Sequence, residues 1–277
     1  MSGGVAARRG SAALTVQSVA GQSAVVSAFS TEPLKLLTPI SRGPSVWACV
    51  SSFGGGLVAG DETRLDLEVG TGACCFVGTQ ASTKVYRNPA RRACGHQTRG
   101  KVADDGCLVF APDVLQAFAD SSYSQRQEFD LTGSASLVLV DWLSSGRSDC
   151  GEHWAFRSFQ SRNEIRVDGK RRVVDAVRLD SESGPLASPG RMGHWNCLAM
   201  LLMIGPGLAA QSAGLLEDIG RRPVEKVATS VASASGITGG ALLRVAGDSV
   251  EVVRRELQQH LDGLSGLLGD NPWKRKW

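Results

Sequence analysis

Six consecutive residues, Arg64-Leu65-Asp66-Leu67-Glu68-Val69, alternate charged and apolar side chains without a fault. Successive residues of an extended strand point to opposite faces, so this segment buries Leu65, Leu67 and Val69 on one side of a sheet and wets its charges on the other. Gly70-Thr71-Gly72 then turns the chain, and 73–78 reads as a return strand. Residues 136–142 are rich in Leu and Val, as a strand covered on both faces would be. Residues 163–167 and 171–179 flank Asp168-Gly169, a dipeptide that tolerates the positive φ angles of a type I′ hairpin turn. Strands recur about every 8–12 residues with glycine between them, which points to a sandwich or a solenoid-like β domain.

Beyond a loop at 181–190 the period changes. Residues 193–204 are predicted to form a heavily apolar, internal helix. Val250, Val253, Leu257, Leu261, Leu264 and Leu268 form one stripe at steps of three and four, predicting a second helix over 249–268. Asp248 is placed to cap it, with Glu251 three residues on completing a capping box, and Gly269 to stop it. The stripe suits either the core or a partner. Leu242-Leu243-Arg244-Val245 predicts one more strand between the helices. The expected organisation is a flexible tail over 1–12 and a single mainly β domain over 13–277 with a small helical C-terminal portion.

Composition narrows the function. A net charge of +3 with dispersed basic residues does not suggest nucleic-acid binding, and no apolar run approaches the ~20 residues of a membrane span. Seven irregularly spaced cysteines without a CxxC pair suit neither a disulfide framework nor a structural zinc site, and fit a reducing, cytoplasmic setting. The glycine run at 54–61 lacks the Lys-Ser/Thr pair of a phosphate-binding loop. No Gly-x-Ser-x-Gly elbow is present, and none of the four histidines sits in a motif that would pair it with a nucleophile. Cys150 and His153, close in sequence beside Glu152, are candidate metal ligands, ranked ahead of the pairs Cys94–His96 and His194–Cys197.

A second kind of metal chemistry suits other residues. An ion in transit needs weak, successive oxygen ligands rather than a thiolate cage. Asp61, Glu62, Thr79, Gln80, Ser82, Thr83, Asp141 and Glu152 offer such oxygens. The same hydroxyls and carboxylates could equally cap turns and strand ends.

These residues fall in blocks with a family likeness. Gly54-Gly55-Gly56-Leu57-Val58-Ala59-Gly60-Asp61, then Thr79-Gln80-Ala81-Ser82-Thr83-Lys84-Val85-Tyr86-Arg87, Asp141-Trp142-Leu143-Ser144-Ser145-Gly146-Arg147, Gly151-Glu152-His153-Trp154-Ala155-Phe156 and the closing Asn271-Pro272-Trp273-Lys274-Arg275-Lys276-Trp277 resemble, in this order, the urease accessory protein UreD (UreH) family. The resemblance implies a mostly β chaperone, not an enzyme, that binds apo-urease and a UreF-like accessory protein. Through that complex it would meet a UreG-like GTPase and assist nickel insertion, with nickel in transit and no tightly bound cofactor. It also implies candidacy in nickel handling for Asp61, Asp141 and Glu152. Lys84, Arg87 and Arg147 are then expected to balance acids or contact partners. Where the family often shows Pro-Asp-Pro, this chain has Pro112-Asp113-Val114. The competing expectation is a β-rich hydrolase or ligand-binding module built on Asp61, Lys84 and Asp141.

Overall fold

The computed structural model describes residues 7–40, 43–89, 91–223 and 227–275. Its strands are β1 (Arg9–Val19), β2 (Gln22–Ser30), β3 (Leu34–Leu37), β4 (Val46–Ser52), β5 (Gly56–Leu57) and β6 (Glu62–Val69). Next come β7 (Cys74–Thr79), β8 (Thr83–Val85), β9 (Cys94–Val102), β10 (Cys107–Phe110), β11 (Leu115–Ala117) and β12 (Ser122–Leu131). Then follow β13 (Ser136–Ser144), β14 (Ser158–Val167), β15 (Lys170–Asp180), β16 (Cys197–Ile204), β17 (Ser230–Ile237) and β18 (Gly240–Gly247). Helix α1 (Ala209–Arg221) precedes β17, and α2 (Val250–Leu261) with the short α3 (Ser265–Leu268) follows β18, before a closing 3-10 turn at Pro272–Arg275.

From β6 to β14 the chain alternates between two sheets. Strands β6, β9, β12 and β14 stack in parallel in one sheet of seven; β7, β10 and β13 stack in parallel beside β4 in one of eleven. Each coil adds one strand to each sheet, so the centre is solenoid-like, and antiparallel strands flank both stacks. The segment after Gly72 is therefore not the return strand of a hairpin. It begins at Cys74 and crosses to the opposite sheet, where it pairs with β4 and β10.

Between the sheets, Leu65, Leu67 and Val69 of β6 meet Val77, Leu108, Leu137 and Leu139 in one apolar core. The outward residues of the seven-stranded sheet stay charged and pair across strands, as Arg99 does with Glu128 (3.7 Å) and Arg166 with Asp130 (3.6 Å). Such exposed pairs contribute little stability. A second core lies on the far face of the larger sheet, where Val253, Leu257, Leu261, Leu264 and Leu268 are all buried. The helical stripe thus packs inward. At about 1.5–3 kcal/mol per buried aliphatic side chain, it holds the helical layer to the sheet.

The hairpin forms as the sequence predicts, with Asp168 at φ 51° and Gly169 at φ 71° between β14 and β15. Gly269 closes the last helix at φ 77°. Three further expectations change. Residues 197–204 form a strand, not a helix, because they pair with both β13 and β18 and are covered from both sides. The cap of α2 is Ser249 rather than Asp248; its Oγ accepts from the Val252 N–H at 3.3 Å. Strand β1 starts at Arg9, inside the expected tail, whose first six residues lie outside those described. Among the described residues no helix is long and apolar enough to cross a membrane.

Candidate functional site

The in-register stacking of parallel strands lines up equivalent side chains from successive coils. Two inward rows are polar where the rest are apolar. One runs Thr63, His96, Gln125, Ser161; the next runs Leu65, Thr98, Gln127, Asn163 and on to Asp175 of β15. The following row, Leu67, Gly100, Phe129 and Ile165, is core. A polar band therefore runs from β6 to β15 across the parallel stack of the seven-stranded sheet, at right angles to its strands, and stops at Gly10 and Ala12 of β1.

Asp141 faces this band from the other sheet. It lies on β13 in phase with Leu137 and Leu139, so it points between the sheets. Its Oδ1 accepts from Gln125 Nε2 at 2.8 Å; its Oδ2 accepts from Ser161 Oγ at 2.6 Å and Asn163 Nδ2 at 2.9 Å. Gln127 Nε2 donates to Asn163 Oδ1 at 2.8 Å and extends the network. Burial raises the pKa of Asp141, the three donors pull it back, and nearby Asp175 pushes it up again; the net shift is upward. Neutral donors satisfy its lone pairs without cancelling its charge.

Cavities open on both sides of this carboxylate. A chamber of about 140 Å³ is lined by Thr79, Ser82, Thr83, Asp113 and Asp141 from the larger sheet and its loops, and by Thr63, His96, Gln125 and Gln127 from the smaller sheet. A second cavity of about 290 Å³ is lined by Asp141, Ser161, Asp175 and Arg244 among apolar neighbours. Asp141 is common to both. At the far side Arg244 of β18 is ion-paired with buried Asp175, joining the two sheets.

Of the sequence-predicted residues, the chamber brings together Thr79, Ser82, Thr83 and Asp141. Thr79 is held by Asp113: its Oγ1 donates to Asp113 Oδ2 at 2.9 Å and accepts from the Asp113 N–H at 2.8 Å. Asp61 lies elsewhere. Its Oδ2 accepts from Arg8 Nη2 at 2.7 Å and from the Val58 N–H at 3.1 Å, and its Oδ1 accepts from the Arg8 N–H at 2.8 Å. Burial alone raises the Asp61 pKa, but these partners more than offset it and the net shift is downward. Asp61 thus clamps the start of the chain to the glycine loop. That loop needs its glycines: Gly54 and Gly55 have φ of 82° and 73°, and a Cβ on Gly56 would lie 2.5 Å from the Lys84 carbonyl oxygen.

The remaining candidates do not join the chamber. Glu62, Gln80 and Lys84 are exposed. Glu152 accepts from Arg147 Nε at 3.1 Å and from the Ala119 N–H at 3.1 Å, and hydrogen bonding by Arg147 is the main cause of its lowered pKa. The Arg147 guanidinium lies 4.3 Å from the Phe118 ring centre, and Arg87 Nε lies 3.7 Å from Asp120. Cys150 and His153 are both exposed, and the His153 ring contacts Asn196 Oδ1 at 3.0 Å. Among the described residues no group of three or more His, Cys, Asp or Glu is gathered to hold a metal. The hydrolase constellation also falls apart, since Asp61 is locked, Lys84 is outside and only Asp141 lines the chamber.

The sequence of the whole described chain settles its kinship. The sequence model of the family described as UreD urease accessory protein matches residues 8–277. The chain belongs to the UreD family. Urease accessory protein UreD of Sorangium cellulosum is 46% identical over 98% of this chain and 86% of its own length. The UreD of an Anaeromyxobacter strain is 36% identical over 98% of this chain and 91% of its own. Urease accessory protein D of Arabidopsis thaliana is 30% identical over 94% of this chain and 98% of its own. The likeness runs through the coils that build the polar band as well as the blocks that first suggested the family. UreD proteins are named as accessories to an enzyme, and the chain is read as one. Asp113, Gln125, Gln127, Asn163 and Asp175 complete the candidate site, and no motif in the sequence singles them out, while His96 lines the chamber without its sequence neighbour Cys94. The available signal was polar residues at inward phase: in β12, Gln125 and Gln127 share the face of Tyr123, Phe129 and Leu131.

Proposed function

We infer that this protein binds apo-urease together with a UreF-like accessory protein, meets a UreG-like GTPase through that complex in the cytoplasm, and passes nickel toward the urease active site through its own interior. The observation that carries this reading is the position of Asp141 on the wall shared by two cavities. A carboxylate held by neutral donors keeps its attraction for a cation, and a divalent ion entering the chamber offsets the cost of its burial. The hydroxyls of Thr79, Ser82 and Thr83 and the amides of Gln125 and Gln127 supply weak oxygen ligands on the way. Hard, dispersed donors let go of an ion that a closed set of thiolates would retain. Beyond Asp141, the Arg244–Asp175 pair stands at the second cavity and must move or be skirted.

The test is Asp141→Asn in the full chain, coexpressed with urease and the other accessory proteins. The expected result is urease with at least tenfold less nickel from a complex that still assembles. Undiminished nickel content would overturn the interior route. Loss of assembly would make Asp141 a structural residue instead.

A further inference from the structure

Set among apolar side chains such as Leu57, Leu65, Phe110 and Leu115, the chamber's polar groups are mostly oxygen donors, and oxygen alone does not tell nickel from magnesium or manganese. Carboxylates, carbonyls and hydroxyls suit all of these ions, whereas imidazole nitrogen favours the later transition metals. One imidazole lines the chamber among the described residues, that of His96. It lies directly opposite Thr63 in the parallel register.

Both ring nitrogens have hydroxyl neighbours. Nδ1 lies 2.8 Å from Thr63 Oγ1, and Nε2 lies 3.1 Å from Thr98 Oγ1. Thr63 lines the chamber with His96, while Thr98 lies behind it, fully buried. Thr63 Oγ1 also lies 3.2 Å from the Gly95 carbonyl oxygen, which can only accept. The Thr63 proton therefore has two destinations. When it points at Gly95, the Nδ1 lone pair and a Thr63 oxygen lone pair are released together, and Nε2–H remains donated to Thr98.

The spacing of that pair is informative. Cis ligands of a six-coordinate ion, each about 2.1 Å from the metal, are about 3.0 Å apart. The Nδ1–Oγ1 separation of 2.8 Å is close to this without rearrangement of either backbone. Burial lowers the His96 pKa to about 4, so near neutrality the ring is uncharged and its lone pair is not lost to a proton.

We propose that His96 Nδ1 and Thr63 Oγ1 form a mixed nitrogen–oxygen resting point in the chamber that discriminates nickel from oxygen-preferring divalent ions. This rests on the interior-route reading and adds a specificity residue to it. Asp141 attracts any divalent cation by charge; His96 selects among them by ligand type. The hydroxyl rotor keeps the resting point shallow, because Thr63 recaptures Nδ1 as the ion leaves.

The experiment uses the full chain with two probes, Ni²⁺ by equilibrium dialysis and Mn²⁺ by the loss of its free electron-spin signal. His96→Gln keeps a polar side chain and is expected to weaken Ni²⁺ binding about tenfold while changing Mn²⁺ binding less than twofold. Equal weakening of both ions, or unchanged Ni²⁺ binding in a folded variant, would overturn the proposal. Should His96→Gln not fold, wild-type chain with ¹⁵N-labelled histidine rings decides: substoichiometric Ni²⁺ should broaden His96 before the other histidines, and a sharp His96 signal refutes the site. A chain that takes up neither ion overturns the interior route as well, whereas normal Asp141-dependent nickel transfer with an indifferent His96 overturns only the selectivity.

Discussion

Asp61 and Asp141 are two carboxylates set into the same β domain, and they meet opposite surroundings. Asp61 is enclosed by a guanidinium and backbone N–H groups, and its pKa falls. Asp141 is enclosed by two amides and a hydroxyl, and its pKa rises. Both have their hydrogen bonds made; only Asp61 has its charge matched by a fixed partner. The contrast separates an acid that fastens the fold from an acid whose charge the fold leaves unmatched. Hydrogen-bond satisfaction and charge compensation are different conditions, and only the second marks a residue as structural.

Several measurements sharpen or break that contrast. The largest effect belongs to function: nickel transfer should fall at least tenfold in Asp141→Asn, yet survive in Asp61→Asn in proportion to the folded protein that remains. Equal transfer by the two variants, once normalised for folded chain, would erase the distinction. Stability should show the reverse order. Asp61→Asn strands the Arg8 guanidinium and weakens the clamp, at about 2–4 kcal/mol in urea unfolding, with allowance for the partial exposure of Arg8. Asp141→Asn relieves a partly buried charge but sets an amide N–H against a donor from which the carboxylate accepts, and should cost less, about 1–2 kcal/mol.

Acid should expose the same difference through pH. Asp61 has a depressed folded pKa, so its contribution is present above its unfolded value near 3.8 and is lost as pH falls through the lower folded value. Asp141 has a raised folded pKa, so its ionisation costs stability as pH climbs past the same reference. His96 adds a term of its own. Its folded pKa of about 4 lies below the ordinary 6.5, so stability should drop by up to about 3 kcal/mol as pH falls from 6.5 to 4. A His96→Gln chain should lack that slope; an identical acid profile would mean the ring is not shielded. The smallest effect is expected at Arg147→Ala. It breaks a partly exposed pair with Glu152, and should cost about 1 kcal/mol or less while leaving nickel transfer intact.

Much of this was legible along the chain because it is local. The alternation at 64–69, the Asp168-Gly169 turn, the stripe of α2 and the stop at Gly269 each depend on neighbours a few residues away. Residues 197–204 misled because a short, unbroken apolar run has no period, and a strand covered on both faces looks like a buried helix. The site was half legible. Family blocks led to Thr79, Ser82, Thr83 and Asp141, but also to Asp61 and Glu152, whose partners Arg8 and Arg147 claim them. Gln125, Gln127 and Asn163 escaped, and the sequence pairs His96 with Cys94 rather than with Thr63, because their meeting depends on the register of parallel strands from separate coils.

The polar band has a consequence for biosynthesis. Its side chains arrive one coil at a time, from Thr63 on β6 to Ser161 and Asn163 on β14, and Asp141 gains two of its three donors only when β14 docks. A chain still emerging from the ribosome, or cut short before that strand, has no continuous track to offer. Completion of the last parallel coil is thus the moment at which Asp141 gains its full set of partners and the polar band becomes continuous.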